Sequence, residues 1–440
     1  MDRRTLLTFA GASAALTATR LSAGISGKSA GGSSGRFPRD FLWGAATAGH
    51  QVEGNNIASD DWLLEHVKPT IFAEPSGDAC NSLELWPVDL DMVRGLGLNA
   101  YRFSLEWARI EPEPGLFSIA MLDHYKKIIE GCRERSITPV VTFNHGTTPR
   151  WFAARGSWKN PESSDLFARF CDRAARHLAA SIGYASTLNE PNSFIFLAEG
   201  LTPHFRDSVR AMNAAAAHSC NSESFVGVIE DPDDLEVVES HLLAAHKAGK
   251  AAIKATRGDL PIGVNISIQD DQEASPNSVR DAKRKIYYGA WLEAAKADDF
   301  VGVQNYVRVR WDDKGIVPSA PGAKVDIIGG EIYPPSLANV VRYAHAATNV
   351  PIMVTEHGVS TPDDSIRAAL IPAALTDLRK VIADGIPVRG YIHWTLMDNF
   401  EWFFGYKRMY GLFSVDRSTF KRTPKPSASV LGAIAKRNEV

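Results

Sequence analysis

Eight short apolar runs, each followed by a longer stretch of helical period, limit what this chain can fold into. The runs occupy residues 41–48, 100–107, 138–145, 184–190, 261–268, 300–306, 351–357 and 388–396. They are rich in Val, Ile, Phe and Tyr, and several are almost continuously apolar, as parallel strands buried on both faces must be. Amphipathic segments lie between them, such as 121–135, 165–180, 236–255 and 372–383. In the last of these, Leu375, Leu378 and Ile382 share one stripe, and Pro372 suits the first helical position. Strand–helix alternation repeated eight times, with no internal linker or repeat, predicts an α/β fold: a single (β/α)8 TIM barrel over residues 36–440.

The remaining features fit that reading. At 440 residues and 45% hydrophobic, the chain can fill a large core, which excludes collagen-like, disordered and small disulfide-scaffold classes. A net charge of −3 argues against nucleic acid as the main partner, since such binders carry basic stripes. Residues 1–23 place Arg3 and Arg4 before an apolar run, as in a twin-arginine export signal, and predict a periplasmic or secreted protein. Residues 24–35 read as a flexible Gly/Ser linker. No later segment has 18 uninterrupted apolar residues, so no membrane anchor is expected after signal removal. Cys80, Cys132, Cys171 and Cys220 match no zinc pattern and are expected to be free buried thiols.

A barrel concentrates its chemistry at the C-terminal ends of the strands. Polar residues crowd there: Arg102 in the second run, His145 ending the third, Asn189 and Glu190 ending the fourth, Tyr306 ending the sixth, Glu356 and His357 ending the seventh, and Trp394 late in the eighth. Strands four and seven lie across the mouth from one another. Two carboxylates facing across a sugar-sized gap are what glycoside hydrolysis needs. One protonates the departing oxygen, and the other attacks or stabilises the anomeric carbon. A lone strand-end Glu would more simply be a surface ion pair; two, with this company, point to a sugar cleft. No His-x-His or paired His/Asp signature ends a strand, so no metal or cofactor is expected.

Several ordered motifs carry a specific resemblance. Residues 41–47 (FLWGAAT) run on to Gln51-Val52-Glu53-Gly54. Tyr101-Arg102-Phe103-Ser104 continues through Trp107 and Arg109 to Pro112. Then come Thr187 to Pro191, Asn305-Tyr306, Thr355-Glu356 with Gly358, Trp394 through Asp398 to Trp402, Gly405-Tyr406 and Gly411-Leu412. From about Phe37 onward the chain resembles glycoside hydrolase family 1, the β-glucosidase type. The resemblance implies a retaining mechanism, with Glu190 as acid/base, Glu356 as nucleophile and the two carboxyls ~5–5.5 Å apart. It implies that Arg102 sits beside Glu356 and favours its charged form, and that Tyr306 hydrogen-bonds the same carboxylate. Gln51, His145, Asn189, Glu401 and Trp402 would hydrogen-bond the terminal sugar, with Trp394 stacked beneath it. Relatives that take 6-phospho sugars usually replace the residue at Glu401, so an unphosphorylated glucoside, galactoside or fucoside is implied. A transglycosidase and a catalytically silent sugar-binding barrel are the alternatives.

The chain also departs from the family pattern. Gly146 follows His145 where an aromatic is usual, which should loosen one wall of the pocket. His357 replaces the usual Asn and could alter how Glu356 is held or add a titrating neighbour. Asn192 stands where many relatives have a Trp lining the leaving-group side. Residues 198–236 fit the family spacing poorly.

Overall fold

The computed structural model describes residues 35–227 and 231–440. The expected export signal (1–23) and all but the last residue of the linker (24–35) lie outside them.

Each of the eight apolar runs forms a strand: β1 (Leu42–Ala46), β2 (Ala100–Ser104), β3 (Thr138–Asn144), β4 (Tyr184–Asn189), β5 (Ile262–Ser267), β6 (Phe300–Asn305), β7 (Ile352–His357) and β8 (Val388–Trp394). Every neighbouring pair is parallel, in chain order. β1 pairs with both β2 and β8, which closes the barrel. β1, β2, β6 and β7 are buried along their whole length. Side chains that alternate inward and outward are covered by the barrel interior on one side and by helices on the other, so neither face needs polar residues.

The outer layer follows: α1 (Ser82–Leu96), α2 (Ile119–Glu134), α3 (Ser163–Leu178), α4 (Leu235–Thr256), α5 (Arg280–Ala295), α6 (Ser336–Thr348), α7 (Asp364–Ala383) and α8 (Pro426–Arg437). Ser118 caps α2 by accepting from the Met121 N–H at 3.2 Å, which fixes where that helix starts. α7 corrects the expected boundary. It begins at Asp364, and Pro372 lies in its interior rather than at its start. Asp363 caps the earlier start by accepting from the Ser365 N–H. The two turns before Pro372 are then held by tertiary contacts that outweigh the missing hydrogen bond. Leu370 and Ile371 are buried, and the fully buried Arg367 donates to the backbone oxygens of Val359, Thr361 and Met409.

Two excursions crowd the C-terminal mouth. After β4 come the helices Ser193–Gly200 and Pro203–Ser219, before α4. After β5 and β6, the segments Asp270–Glu273, Arg308–Trp311 and Ile316–Val317 form a small three-stranded sheet. Cys80, Cys132 and Cys171 are buried free thiols; Cys220 is free but only half-buried.

Gly358 ties β7 to β8. A Cβ there would lie 2.2 Å from the Trp394 backbone oxygen, which is backbone and cannot swing aside. Gly358→Ala should therefore push the two strand ends apart and destabilise the fold by about 1–3 kcal/mol. A thermal midpoint unchanged from the parent would show that the strands can separate freely.

Candidate active site

The barrel delivers its strand-end residues to one cavity of about 1040 Å³, counted to its open mouth. His145, Asn189, Glu190, Tyr306, Glu356, Trp394, Glu401 and Trp402 all line it. Arg102 and Gln51 stand behind the lining, where they brace other residues. Strand alternation explains the selection: on β7, Glu356 points inward and His357 outward.

Glu356 is clasped. The Arg102 guanidinium donates through Nη1 to Oε1 at 2.5 Å, and the Tyr306 hydroxyl donates to Oε2 at 2.5 Å. Arg102 is fully buried, and its other nitrogens reach Asn189 Oδ1 at 2.5 Å and Thr142 Oγ1 at 3.1 Å. Burial pushes the Glu356 carboxyl above its ordinary range, and the Arg102 charge and the Tyr306 hydrogen bond pull it back toward the carboxylate. The partner expected to favour the charged form is in place, although burial wins the net direction.

Glu190 is held differently. It follows β4 with φ of +44°, and its N–H donates to the Asn265 oxygen at 2.9 Å. Its Oε1 is buried without a partner. Burial, and then the charge of Glu356, raise its pKa to about 8. One glutamate is thus gripped by two donors, while the other is kept as an acid. Opposed environments of this kind let two identical side chains take different chemical parts.

The surrounding wall offers unsatisfied polar atoms. Gln51 donates to the Phe400 oxygen at 2.7 Å, but its Oε1 has no partner. Asn189 shares a hydrogen bond with His145 Nε2 at 3.1 Å, leaving His145 Nδ1 unpaired. Burial and the Arg102 charge hold the His145 pKa well below its ordinary value, so the ring is neutral. Glu401 keeps Oε1 unpartnered, and burial raises its pKa to about 8. Buried polar atoms without partners are costly, and a ring of them around one cavity fits a polar guest with many hydroxyls.

Several expectations are corrected here. Gly146 does not leave a loose wall. Trp402 covers it, and a Cβ on Gly146 would already stand 3.4 Å from the indole. Trp402 also lies parallel to His145, with centroids 6.1 Å apart, and to His50, at 6.0 Å. Burial works against a charge on His50, yet its hydrogen bond to Glu65 and that residue's charge raise it to about 9, giving the indole a cationic neighbour. His357 does not touch Glu356 as a titrating neighbour. It faces Tyr391, 3.0 Å from the hydroxyl, and burial lowers its pKa to about 4. Asn192 does not line the cavity. It is fully buried and braces the chain, donating to the Ser267 and Tyr287 oxygens and accepting from the Ser267 N–H.

Sequence reasoning missed other parts of the site. Gln304, two residues before Tyr306 on the same inward face, donates to Asn189 Oδ1 at 2.8 Å; its period-2 position was the available signal. Phe196, Leu197, Phe403, Phe404, Arg408 and Tyr410 also line the cavity, from segments outside the strands. Among the described residues, no group of three or more His, Cys, Asp or Glu side chains is placed to hold a metal ion.

Comparison with known proteins matches the chain to one family and its fold. The sequence profile of glycosyl hydrolase family 1 matches residues 33–288 and 326–440, so it runs through residues 198–236 and leaves out 289–325 instead. β-Glucosidase A of Thermotoga maritima is 30% identical to this chain, over 92% of it and 98% of that protein. The β-glucosidase of an Agrobacterium strain is 28% identical over 91% of this chain and 95% of its own. Among solved structures, β-glycosidase BGL167 is 46% identical, with a TM-score of 0.86, covering 92% of this chain and 98% of that one.

Proposed function

The chain belongs to glycosyl hydrolase family 1 and is a glycoside hydrolase; on that premise we propose that it is a retaining β-glycosidase releasing a terminal, unphosphorylated β-D-sugar. The observation that carries the finer reading is the contrast between Glu190 and Glu356 at one cavity.

In the first step, Glu190 gives its proton to the glycosidic oxygen as the bond to the anomeric carbon breaks. Glu356 attacks that carbon from the opposite face and forms a glycosyl ester. Arg102 and Tyr306 hold the attacking carboxylate in one orientation. In the second step, Glu190, now a carboxylate, takes a proton from water. The resulting oxygen attacks the same carbon and frees Glu356, restoring the original configuration. The carboxyl separation this requires is ~5–5.5 Å. The unpaired atoms of His145 and Glu401 fit the sugar hydroxyls, and Trp394 offers an apolar face to the ring. Relatives named as β-glucosidases, and Glu401 where relatives that take 6-phospho sugars usually carry another residue, favour an unphosphorylated glucoside, galactoside or fucoside over a 6-phospho sugar.

The test is the initial rate of residues 24–440 on nitrophenyl β-glucoside, galactoside, fucoside, mannoside and xyloside, with a matching 2-fluoro glycoside to trap the ester. The expected result is turnover of at least one, and peptide mass spectra that place the trapped sugar on Glu356. A sugar recovered on another residue would overturn the assignment of roles. Added alcohol separates hydrolysis from transfer by whether an alkyl glycoside accumulates.

A further inference from the structure

Arg408 is the cation of this cavity that the reaction above does not use. It lines the same space as Glu356 and Glu401 and lies over the Phe404 ring, 3.1 Å from its centroid. It is half-buried. No ion pair or hydrogen bond satisfies its guanidinium among the described residues. The acids nearest in influence are Glu401 and Asp326, and neither approaches to ion-pair distance. Asp326 instead accepts from the N–H groups of Ile328 and Gly330. Arg102, by contrast, is wholly committed to Glu356, Asn189 and Thr142. A partly desolvated cation held by a ring face but by no anion or hydrogen-bond acceptor is under-satisfied, so its place in a ligand cavity indicates an anion that arrives with the guest.

The side of the cavity is also defined. Tyr410 packs edge-on against Tyr306, which binds Glu356, and the charges of Glu401 and Arg408 both act on Tyr410. Ser193, Phe196 and Leu197 follow Glu190 in the chain and line the cavity from its side. In a double displacement the nucleophile and the acid stand on opposite sides of the bond that breaks. Arg408 therefore borders the sugar that is retained, and the apolar residues after Glu190 border the group that leaves.

We propose that Arg408 recognises a carboxylate on the terminal sugar, so that β-D-hexuronides (glucuronide or galacturonide) are substrates of this site. The inference rests on the glycosidase reading given above. A carboxylate is planar and singly charged, and it matches the two-pronged guanidinium fork. A phosphate dianion would meet one cation only, since no Lys lines the cavity. Glu401, raised by burial to about 8, is protonated at neutral pH and can donate to the same carboxylate rather than repel it.

The experiment compares kcat/KM for nitrophenyl β-D-glucuronide, galacturonide and glucoside on the parent chain, Arg408→Ala and Arg408→Lys. The expected result is turnover of at least one hexuronide by the parent, within about tenfold of the glucoside or above it. Arg408→Ala should then lose ~10²–10³-fold on that hexuronide and less than about tenfold on the glucoside, with Arg408→Lys in between. Glucoside turnover with no hexuronide turnover overturns the inference and leaves the glycosidase reading standing. An equal loss on both sugars in Arg408→Ala also overturns it, because the residue would then only shape the pocket. Failure on every sugar, with no label on Glu356 from the 2-fluoro glycosides, would sink the glycosidase reading and the inference together.

Discussion

Glu356→Ala is expected to lower kcat by about 10⁶-fold, the scale seen when a covalent nucleophile is removed. No other carboxylate in the cavity is gripped by two donors, so none can take its place at the anomeric carbon. The substitution also strands the buried Arg102 cation and the Tyr306 hydroxyl, so the variant should lose stability as well. Glu356→Gln, which keeps the side-chain volume and one acceptor oxygen for the Arg102 guanidinium, serves as the folding control. The vacancy left by Glu356→Ala should permit a specific rescue, because a small anion such as azide or formate can enter it, be held by Arg102 and attack. The product would then have inverted configuration, since only one displacement has occurred. Full activity of Glu356→Ala without added anion would end the assignment.

Glu190→Gln should cost ~10²–10⁴-fold on substrates whose leaving group needs a proton, and far less on activated aryl glycosides. Its pH profile carries the sharper information. Glu190 must be protonated for the first step, and its pKa is raised to about 8, so kcat/KM of the parent should be sustained below that value and fall as pH rises through it. Glu401 is also raised to about 8 and faces the same cavity, so the limb has two candidate sources. The variant separates them. Disappearance of the limb in Glu190→Gln assigns it to Glu190, and a limb that persists assigns it to Glu401 and removes the argument for Glu190 as the acid.

Both glutamates were legible in the sequence because a barrel turns strand order into position. An apolar run that ends in Asn189-Glu190 or Thr355-Glu356 places its last residues at the mouth, whatever the helices outside do. The same logic found Arg102, His145, Tyr306 and Trp394. It did not reach Arg408, Tyr410 or Phe404, which enter the cavity from an irregular stretch after β8, where no period fixes direction. Nor could it place Asn192, whose side chain turns from the cavity to brace Ser267 and Tyr287, 75 and 95 residues away. Pro372 misled for a related reason: local propensity favoured a helix start, and contacts of Leu370, Ile371 and Arg367 outweighed it.

The order of apolar and polar residues by itself determined the eight strands, their parallel closure and the strand-end residues that meet at the mouth, because burial on two faces and helical amphipathicity are local periodicities. The tertiary structure alone decided which side chain satisfies which. Arg102 is spent on Glu356 across 254 residues, Trp402 fills the space beside Gly146, and Arg408 rests on the Phe404 ring with no ion-pair partner among the described residues. Hydrogen-bond satisfaction and packing depend on distances between remote segments, and a linear pattern does not contain those distances.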